Sequence, residues 1–559
     1  MTDTAGIEID YDVPADMRDG VVLRANVYRP KGDGPWPTLL TRTPYGKDDP
    51  SQFLASGIDA AHAARTGFMV VIQDTRGRFA SEGNWRPFRH EREDGYDTVQ
   101  WAASLPGSTG RIGMFGGSYC GNTQWMPAID NPPNLVAIAP LMTWADPFDG
   151  LFARGGAVEL GLVLPWSIQT GLHQLLRTAG NDLPANAVDN LINEWDCLNQ
   201  SAYWDLPVSA AEVLRRHGIT DLGSLSVLAD PAVAEWCTVR DSQRFASVPS
   251  LHTGGWYDVF LQGTLDNYIA AHAGGHDASL LVGPWTHERF TDPVGQAMFG
   301  LRAARNGVGA HPDGDWSDVQ LAWLRTHLGR QPDEPQSRAP VRIFVMGRNE
   351  WRDEQSWPPA NTVDHAWYLG PDSRLQPTRP TSASKPSRFT YNPADPVPTV
   401  GGHTVMWPAY VAGPADQRGI EERNDVLVFT SAPFAEDLEV TGRVRMVLHA
   451  RSSAPATDWV ARLCDVAPDG LSINLCDGIL RVTEGANDWR QYEIDLWSTS
   501  NVFLRGHRLR VHVTSSSFPR WDRNMNTGQQ GDRHHVAAHQ EIGRGQANPS
   551  HVLLPVVLG

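Results

Sequence analysis

The stretch that decides the fold is GRIGMFGGSYCGNTQW, residues 110–125. A short apolar run, RIGMFG, leads into small residues around Ser118, and a segment with helical character follows. A serine that acts as a nucleophile is presented on a sharp turn between a strand and a helix, where small residues two positions away relieve crowding. Gly116 fills the first small position and Cys120 fills the second, where glycine is usual. The pattern predicts such a turn, with an inert serine in a glycine-rich loop as the alternative.

Length and composition limit the number of domains and the class of protein. The chain has 559 residues, 41% hydrophobic and 20% charged, which is typical of a globular protein with about two to four domains. Its five cysteines are widely spaced and odd in number, so we expect neither a disulfide framework nor a metal site. The N-terminus is acidic and polar, and no apolar run approaches the length of a membrane span. We therefore expect a cytoplasmic protein.

The net charge indicates the kind of partner. A formal charge of −17 opposes long-range attraction to nucleic acid or to an anionic membrane, and no lysine-rich run offsets it. The 21 tryptophans favour large apolar cores, pockets or interfaces. We expect a small-molecule partner and no nucleic acid or membrane. A homodimer is a candidate assembly.

The first half of the chain alternates strand-like and helix-like segments. TLLTRTPYG, GFMVVIQDTRG and RIGMFGG are short apolar runs, whereas EREDGYDTVQWAASLPG has helical spacing and ends at a Pro-Gly pair. This alternation predicts an α/β domain with a parallel sheet over residues 1–144 and again over residues 242–338. Residues 145–241 show helical spacing and few strand signals. We expect them to form an inserted helical cap.

The last part of the chain has a different pattern. The segment DWSDVQLAWLRTHLG predicts a helix with Asp315 or Ser317 as its N-cap, and the proline-rich RQPDEPQSRAP that follows indicates a linker. Beyond it, short strand candidates from VRIFVMG to SHVLLPVVLG are separated by Gly, Pro, Asn and Asp turns. Residues 339–559 are therefore predicted to form a jelly-roll β-sandwich.

Candidate partners for Ser118 follow later strands. A serine nucleophile needs a base and an acid that orients the base, and in chain order these come as Ser, Asp, His. Asp258 in GGWYDVF and His287 in LLVGPWTH each follow a strand signal. The alternatives are a helix cap for Asp258 and an ordinary loop histidine for His287. For an oxyanion, the turn supplies the N–H of Tyr119, and Tyr45 is a second candidate donor whose alternative is a packed loop residue.

Several segments together resemble a known family, the serine hydrolases that include bacterial cocaine esterase and the X-Pro dipeptidyl-peptidases. In chain order these segments are RTPYGK, VVIQDTRGRFASEG, DGYDTVQWAASLPGSTGRIGMFGGSYCGNTQW, GGWYDVF and VGPWTHERF. C-terminal strings such as VRIFVMGRNEWRDEQSWPP, LCDGILR and SNVFLRGHRLRVHVTSSSFPRWDRNMNTG look particularly similar to the cocaine esterase branch. The resemblance spans nearly the whole chain.

The resemblance implies a fold and a set of roles. The fold is an α/β-hydrolase domain with an inserted helical cap and a C-terminal jelly roll. The nucleophile in GSY is Ser118, the acid in WYD is Asp258 and the base in GPWTH is His287. Tyr45 in the PY motif is the oxyanion donor, beside the N–H of Tyr119.

The segment DTRGRFASEG looks structural in the same comparison. Its charged residues Asp74, Arg76 and Arg78 are expected to form a buried ion-pair cluster near the turn that carries the serine.

The resemblance only partly implies a substrate pocket. Trp166 and Phe260 match aromatic pocket positions, but Leu151 stands where the cocaine esterase branch carries an aromatic residue that lines the acyl pocket. Met406 and Trp407 from the C-terminal domain are expected to complete an apolar pocket.

The expected function is serine-dependent hydrolysis of a small-molecule carboxylic ester through an acyl-enzyme, with an amide as the alternative bond. No metal and no organic cofactor are expected. One alternative within the same class is an X-Pro dipeptidyl-peptidase or an α-amino acid ester hydrolase or acylase. An alternative from another class is a non-catalytic protein whose jelly roll binds a glycan.

Overall fold

A mixed ten-stranded sheet forms the centre of the first part of the molecule. The computed structural model describes residues 6–49, 57–179, 186–219, 225–228, 231–304, 315–329, 339–406, 410–529 and 531–558. Six strands of this sheet come first: β1 (Ile7–Asp16), β2 (Val22–Pro30), β3 (Trp36–Thr43), β4 (Met69–Asp74), β5 (Ser108–Gly117) and β6 (Leu135–Leu141). The helices between them are α1 (Ala60–Arg65), α2 (Glu91–Ala103) and α3 (Tyr119–Ala128). The predicted alternation of strands and helices is confirmed.

The cap segment follows β6 and is mainly helical. A two-strand ladder of β7 (Ala153–Arg154) and β8 (Ala157–Val158) leads into α4 (Leu160–Ala179), the longest helix of the cap. The helices α5 (Ala187–Asp196) and α6 (Glu212–Arg216) follow, with several 3₁₀ turns between them. Leucine, valine and tryptophan side chains of α4 pack into a buried cluster with aromatic residues of the sheet domain. The cap therefore closes over the carboxyl ends of the sheet strands.

Four more strands complete the sheet. They are β9 (Ser250–Gly255), β10 (Ala278–Gly283), β11 (Val341–Val345) and β12 (Glu350–Glu354), with α7 (Leu261–Ala273) and α8 (Trp316–Leu328) alongside. The strand order is β1-β2-β4-β3-β5-β6-β9-β10-β11-β12. Neighbours from β4 to β11 in this order run parallel, and the outer pairs run antiparallel. Asp315 caps α8 by accepting a hydrogen bond from the N–H of Ser317.

The position of β11 differs from the sequence-based expectation. The segment VRIFVMG was predicted to open the jelly roll, but Val341–Val345 pairs in parallel with β10, and β12 returns beside it. Its pattern of buried apolar residues fits either sheet, and the register of Leu280 with Val341 places it in the first. The first two strands after the linker thus extend the ten-stranded sheet, and the sandwich begins after them.

The remaining strands form an antiparallel jelly-roll β-sandwich. One sheet contains β13 (Thr362–Leu369), β14 (Leu375–Gln376), β15 (Ser387–Tyr391), β17 (Leu438–Ser452), β20 (Arg490–Phe503), β22 (Ala538–Ile542) and β25 (His551–Val557). The other contains β16 (Leu427–Thr430), β18 (Thr457–Val466), β19 (Ser472–Val482) and β21 (Arg508–Thr514). A short helix, α9 (Arg418–Glu421), and a ladder of β23 (Arg544–Gly545) with β24 (Asn548–Pro549) complete it. Apolar side chains of both sheets interdigitate in one core.

Buried charges join the cap to the sandwich. Arg154 of β7 donates a 2.6 Å hydrogen bond to the carbonyl of Asp477, and Arg520 contacts the Asp477 carboxylate at 2.7 Å. The indole of Trp521 donates to Glu159 at 2.8 Å. Removing one partner of such a buried pair costs several kcal/mol, so these contacts fix the two units relative to each other. Within the described ranges, no helix is long and apolar enough to cross a membrane.

Candidate active site

Ser118 lies on the sharp turn between β5 and α3. Its backbone has φ 58° and ψ −123°, a conformation that is strained for a residue with a side chain. The N–H of Ser118 donates to the carbonyls of Leu141 and Met142, at 2.9 and 3.1 Å, at the end of the neighbouring strand β6. These bonds hold the strained turn in place. The serine lines a cavity under the cap, as a nucleophile would.

The residues around Ser118 explain why the turn can be so tight. Gly116 has φ +131°, and a Cβ built there would lie 2.7 Å from the Cβ of Cys120. Glycine is therefore required two positions before the serine. The thiol of Cys120, two positions after it, is small enough to fill the remaining space and is buried.

Asp258 and His287 form a pair at the ends of β9 and β10. The Nδ1 atom of His287 lies 2.7 Å from Oδ1 of Asp258. Since a carboxylate can only accept, Nδ1 carries the proton and Nε2 is left with a free lone pair. Asp258 is fully buried, and its Oδ2 accepts from the N–H of Phe260 at 3.0 Å. The ring of His287 also packs edge-on against Phe260, which lines the same cavity as Ser118.

The surroundings of His287 favour its charged form. Burial by itself lowers the pKa of the imidazole, but the charge and hydrogen bond of Asp258 and the charge of Glu288 outweigh it. The net effect is a pKa raised above the ordinary histidine value. The imidazolium form of His287 is therefore more stable here than the imidazolium of a histidine in water.

Tyr45 brings a hydroxyl to the cavity wall. It follows β3, and its oxygen accepts a 3.2 Å hydrogen bond from the indole N–H of Trp166 on α4. The proton of the Tyr45 hydroxyl thus stays available to a second partner. Burial raises the pKa of the Tyr45 phenol, so the hydroxyl is protonated at neutral pH. Tyr119, the first residue of α3, has a backbone N–H without an intrahelical partner.

The side chain of Tyr119 is held by a separate network. Its hydroxyl donates to Glu91 at 2.8 Å and accepts from the N–H of Phe88 at 2.8 Å. Arg42 in turn contacts the same Glu91 carboxylate at 2.6 Å. Phe88 has a positive φ of 66°, and its ring stacks on that of Tyr119 at 4.5 Å. The network fixes both the start of α3 and one wall of the cavity.

The cavity is lined by apolar and aromatic groups. The cavity is small, with a volume of about 30 Å³, well below that of a pocket that encloses a drug-sized ligand. Six predicted residues line it: Tyr45, Ser118, Tyr119, Leu151, Trp166 and Phe260. Four further lining residues are missing from the sequence-based prediction: Phe88, Trp144, Leu162 and Val163. Leu162 and Val163 precede Trp166 by one helical turn, a spacing that points to the same face of α4. Among the described residues of this lining, only the tyrosines carry an ionisable side chain.

One predicted pocket residue lies elsewhere. Met406 is buried, but its thioether occupies the space beside Gly161, where a Cβ would lie 2.2 Å from the sulfur. Met406 therefore packs against α4 at Gly161, where there is no side chain, and it is not among the residues that line the cavity. Trp407 lies outside the described residues.

The charged residues of DTRGRFASEG do not form one cluster as predicted. Arg76 contacts Asp94 at 2.6 Å and Asp19 at 2.7 Å, and Asp74 accepts from the N–H of Lys47. Arg78 bonds neutral acceptors instead. The position of each arginine in the fold decides which acceptors lie within reach of its guanidinium. The spacing of these residues in the sequence does not show which acceptors those are.

Comparisons with known proteins agree with this fold. The chain matches the model of the X-Pro dipeptidyl-peptidase S15 family over residues 19–289 and that of the X-Pro dipeptidyl-peptidase C-terminal non-catalytic domain over residues 335–553. It is 37% identical to cocaine esterase of Rhodococcus sp. (strain MB1 Bresler) over 578 residues, covering 98% of both chains.

Two solved structures are also similar. An aminopeptidase from the marine sediment archaeon Thaumarchaeota archaeon aligns with a TM-score of 0.84 and 25% identity, covering 100% of this chain and 98% of that one. An alpha-amino acid ester hydrolase aligns with a TM-score of 0.78 and 22% identity, covering 99% of this chain and 97% of that one.

The fold and these similarities define a serine hydrolase of the α/β-hydrolase class, of the esterase type. The chain belongs to the family of cocaine esterase and the X-Pro dipeptidyl-peptidases. Membership of this family favours an enzyme over the alternative of a non-catalytic glycan-binding protein.

Proposed function

We propose that this enzyme hydrolyses a small, uncharged carboxylic ester through an acyl-enzyme on Ser118. The observation that supports this most is the position of Ser118, on a strained turn that faces an apolar cavity with the Tyr45 hydroxyl in its wall. The pair of His287 and Asp258 packs against Phe260 of the same cavity. In this proposal Ser118, His287 and Asp258 supply the three groups that acyl transfer requires, with Tyr45 and the N–H of Tyr119 as oxyanion donors.

The reaction proceeds in two halves. In the first, Nε2 of His287 accepts the hydroxyl proton of Ser118 while the serine oxygen attacks the ester carbonyl carbon. Asp258 stabilises the imidazolium, and the carbonyl oxygen becomes an oxyanion that accepts from Tyr45 and the N–H of Tyr119. The imidazolium then protonates the leaving alcohol. In the second half, water attacks the acyl-enzyme with His287 as base, and the acid is released.

The cavity lining indicates the acyl group. Burying an ammonium group without a carboxylate partner is costly, and none of the described residues that line this cavity is a carboxylate. Small to medium aliphatic or aryl acyl groups match its walls. Long acyl chains exceed its volume.

The alternative within the same class is hydrolysis of a peptide or aminoacyl ester with a free N-terminus. The structural similarity to an aminopeptidase supports this alternative. Turnover of p-nitrophenyl butyrate compared with an X-Pro anilide separates the two. We expect hydrolysis of the ester and at least about 100-fold lower kcat/KM for the anilide, because the ammonium group loses hydration without a partner. The reverse preference would favour the peptidase.

The pH dependence of kcat/KM tests His287. Neutral imidazole is the active form, so activity is present above the pKa of His287 and falls about tenfold per pH unit below it. Because that pKa is raised, the fall begins at a higher pH than it would for an unperturbed histidine. As a control, Glu288→Gln removes one charge that raises the pKa and is expected to shift the fall to lower pH without changing the plateau. A rate that stays level down to pH 5 would exclude a histidine base.

The acyl preference tests the cavity wall. Leu151→Ala enlarges the cavity, so kcat/KM for p-nitrophenyl benzoate relative to the acetate is expected to rise roughly tenfold. Leu164→Ala is the matched control, since Leu164 is buried on α4 but does not line the cavity. Both variants are expected to lose about 2 to 5 kcal/mol of stability. The same ratio in both variants would show that Leu151 does not contact the acyl group.

A further inference from the structure

Arg78 is a buried cation next to the site, and the proposed mechanism does not use it. Its side chain is only 2% exposed. Nε donates to the carbonyl of Pro44 at 2.7 Å, and Nη1 donates to the carbonyl of Thr170 at 3.2 Å. Nη2 lies 3.1 Å from Nδ1 of His173, which must therefore be the acceptor. The guanidinium also lies over the ring of Trp85, at 4.3 Å.

These contacts connect the two elements that hold the Tyr45 hydroxyl. Pro44 immediately precedes Tyr45, and Thr170 lies on α4 one turn after Trp166. The hydroxyl of Thr170 donates to the carbonyl of Trp166 at 2.7 Å, and the indole of Trp166 donates to Tyr45. Arg78 thus closes a ring of hydrogen bonds around the candidate oxyanion donor.

The charge of Arg78 is not neutralised by an ion pair with any carboxylate of the described ranges. The nearby Asp74 carboxylate accepts from the N–H of Lys47 and of Ala80. Burial lowers the pKa of Arg78 to about 10, so the group stays positive at neutral pH. Its charge also opposes the rise that burial causes in the pKa of Tyr45. A positive charge that stabilises negative charge on the phenol oxygen also stabilises it on an oxyanion that accepts a hydrogen bond from that phenol.

We propose that Arg78 is a positioning residue of the oxyanion hole, which holds Tyr45 against α4 and places an unneutralised positive charge beside it. The inference rests on the proposed role of Tyr45. Arg78 does not touch the substrate; it acts through the tyrosine. Its charge is present before the reaction and needs no reorganisation when the oxyanion forms, so it stabilises the transition state more than the bound ester.

The experiment is a double-mutant cycle with p-nitrophenyl butyrate. The variants are Arg78→Gln, Arg78→Lys, Tyr45→Phe and Tyr45→Phe combined with each Arg78 change, with rates normalised to the fraction that a fluorophosphonate labels. We expect Arg78→Gln to lower kcat about 10- to 100-fold with less than about threefold change in KM. Arg78→Lys keeps the charge and is expected to lose less. In the Tyr45→Phe background, Arg78→Gln is expected to cost less than about threefold.

Arg177→Gln is the matched control. Arg177 also bonds this loop from α4, donating to the carbonyls of Phe79 and Ser81, but its side chain is exposed. We expect kcat within about twofold of wild type for this variant.

The possible outcomes separate a failure of the role of Arg78 from a failure of the role of Tyr45. Full additivity of the Arg78 and Tyr45 changes would overturn the role of Arg78 and leave Tyr45 as the donor. Equal losses for the lysine and glutamine variants would overturn the role of the charge. Wild-type kcat in Tyr45→Phe would overturn the oxyanion assignment and this inference with it. If Arg78→Gln gives no labelled protein, the same comparison is made with Arg78→Lys. We then expect Arg78→Lys to lower kcat in the wild-type background but not in the Tyr45→Phe background.

Discussion

Replacing Ser118 with alanine is expected to abolish ester hydrolysis, with kcat falling by roughly 10³-fold or more. Without the hydroxyl there is no oxygen to attack the carbonyl carbon, and the lone pair of His287 has no serine proton to accept. Tyr45 and the apolar cavity remain, so substrate still binds and a small residual rate persists. The measurement is steady-state turnover of p-nitrophenyl butyrate, with circular dichroism to verify the fold.

A second serine provides the control for this variant. Ser108 lies at the opposite end of the same strand, where its hydroxyl is 3.0 Å from that of Thr38. Ser108→Ala is expected to keep kcat within about twofold of wild type. Near-normal turnover in Ser118→Ala would mean that another residue is the nucleophile.

Replacing Tyr45 with phenylalanine is expected to lower kcat about 10²- to 10³-fold, about 3 to 4 kcal/mol of transition-state stabilisation. The change removes one oxygen and leaves the ring in place. The Trp166 indole loses its acceptor, which is a small stability cost beside the loss in rate. KM is expected to change less than kcat, because the donor acts mainly on the charge that develops at the carbonyl oxygen.

Tyr268→Phe is the control for the loss of a buried phenol. Tyr268 is buried on α7, and its hydroxyl has no hydrogen-bond partner among the described residues. Its removal is expected to leave kcat unchanged. If Tyr45→Phe behaves like this control, the second oxyanion donor is a different group.

The alternation of elements and the turn around Ser118 could be predicted from local sequence. Strand, turn and helix signals lie within a few residues of one another in GRIGMFGGSYCG, and the strand ends that carry Asp258 and His287 are equally local. Parallel strands then bring such ends to one edge of the sheet. The catalytic roles of these residues stay predictions.

The parts that could not be predicted depend on long-range contacts. VRIFV is compatible with either sheet, and only its pairing with Leu280 in β10 decides between them. Phe88 reaches the cavity wall through a left-handed backbone that no sequence signal marks, held by the hydroxyl of Tyr119. Likewise, nothing in DTRGRF shows that Arg76 finds carboxylates while Arg78 finds carbonyls.

The proposed mechanism depends above all on Ser118 forming the covalent intermediate. A fluorophosphonate reacts with an activated serine and leaves a stable adduct whose position can be read by peptide mass spectrometry. We expect one adduct per chain, on the peptide that contains Ser118, with loss of esterase activity in proportion to labelling. An adduct on a different residue, or full labelling of Ser118 with activity retained, would contradict it.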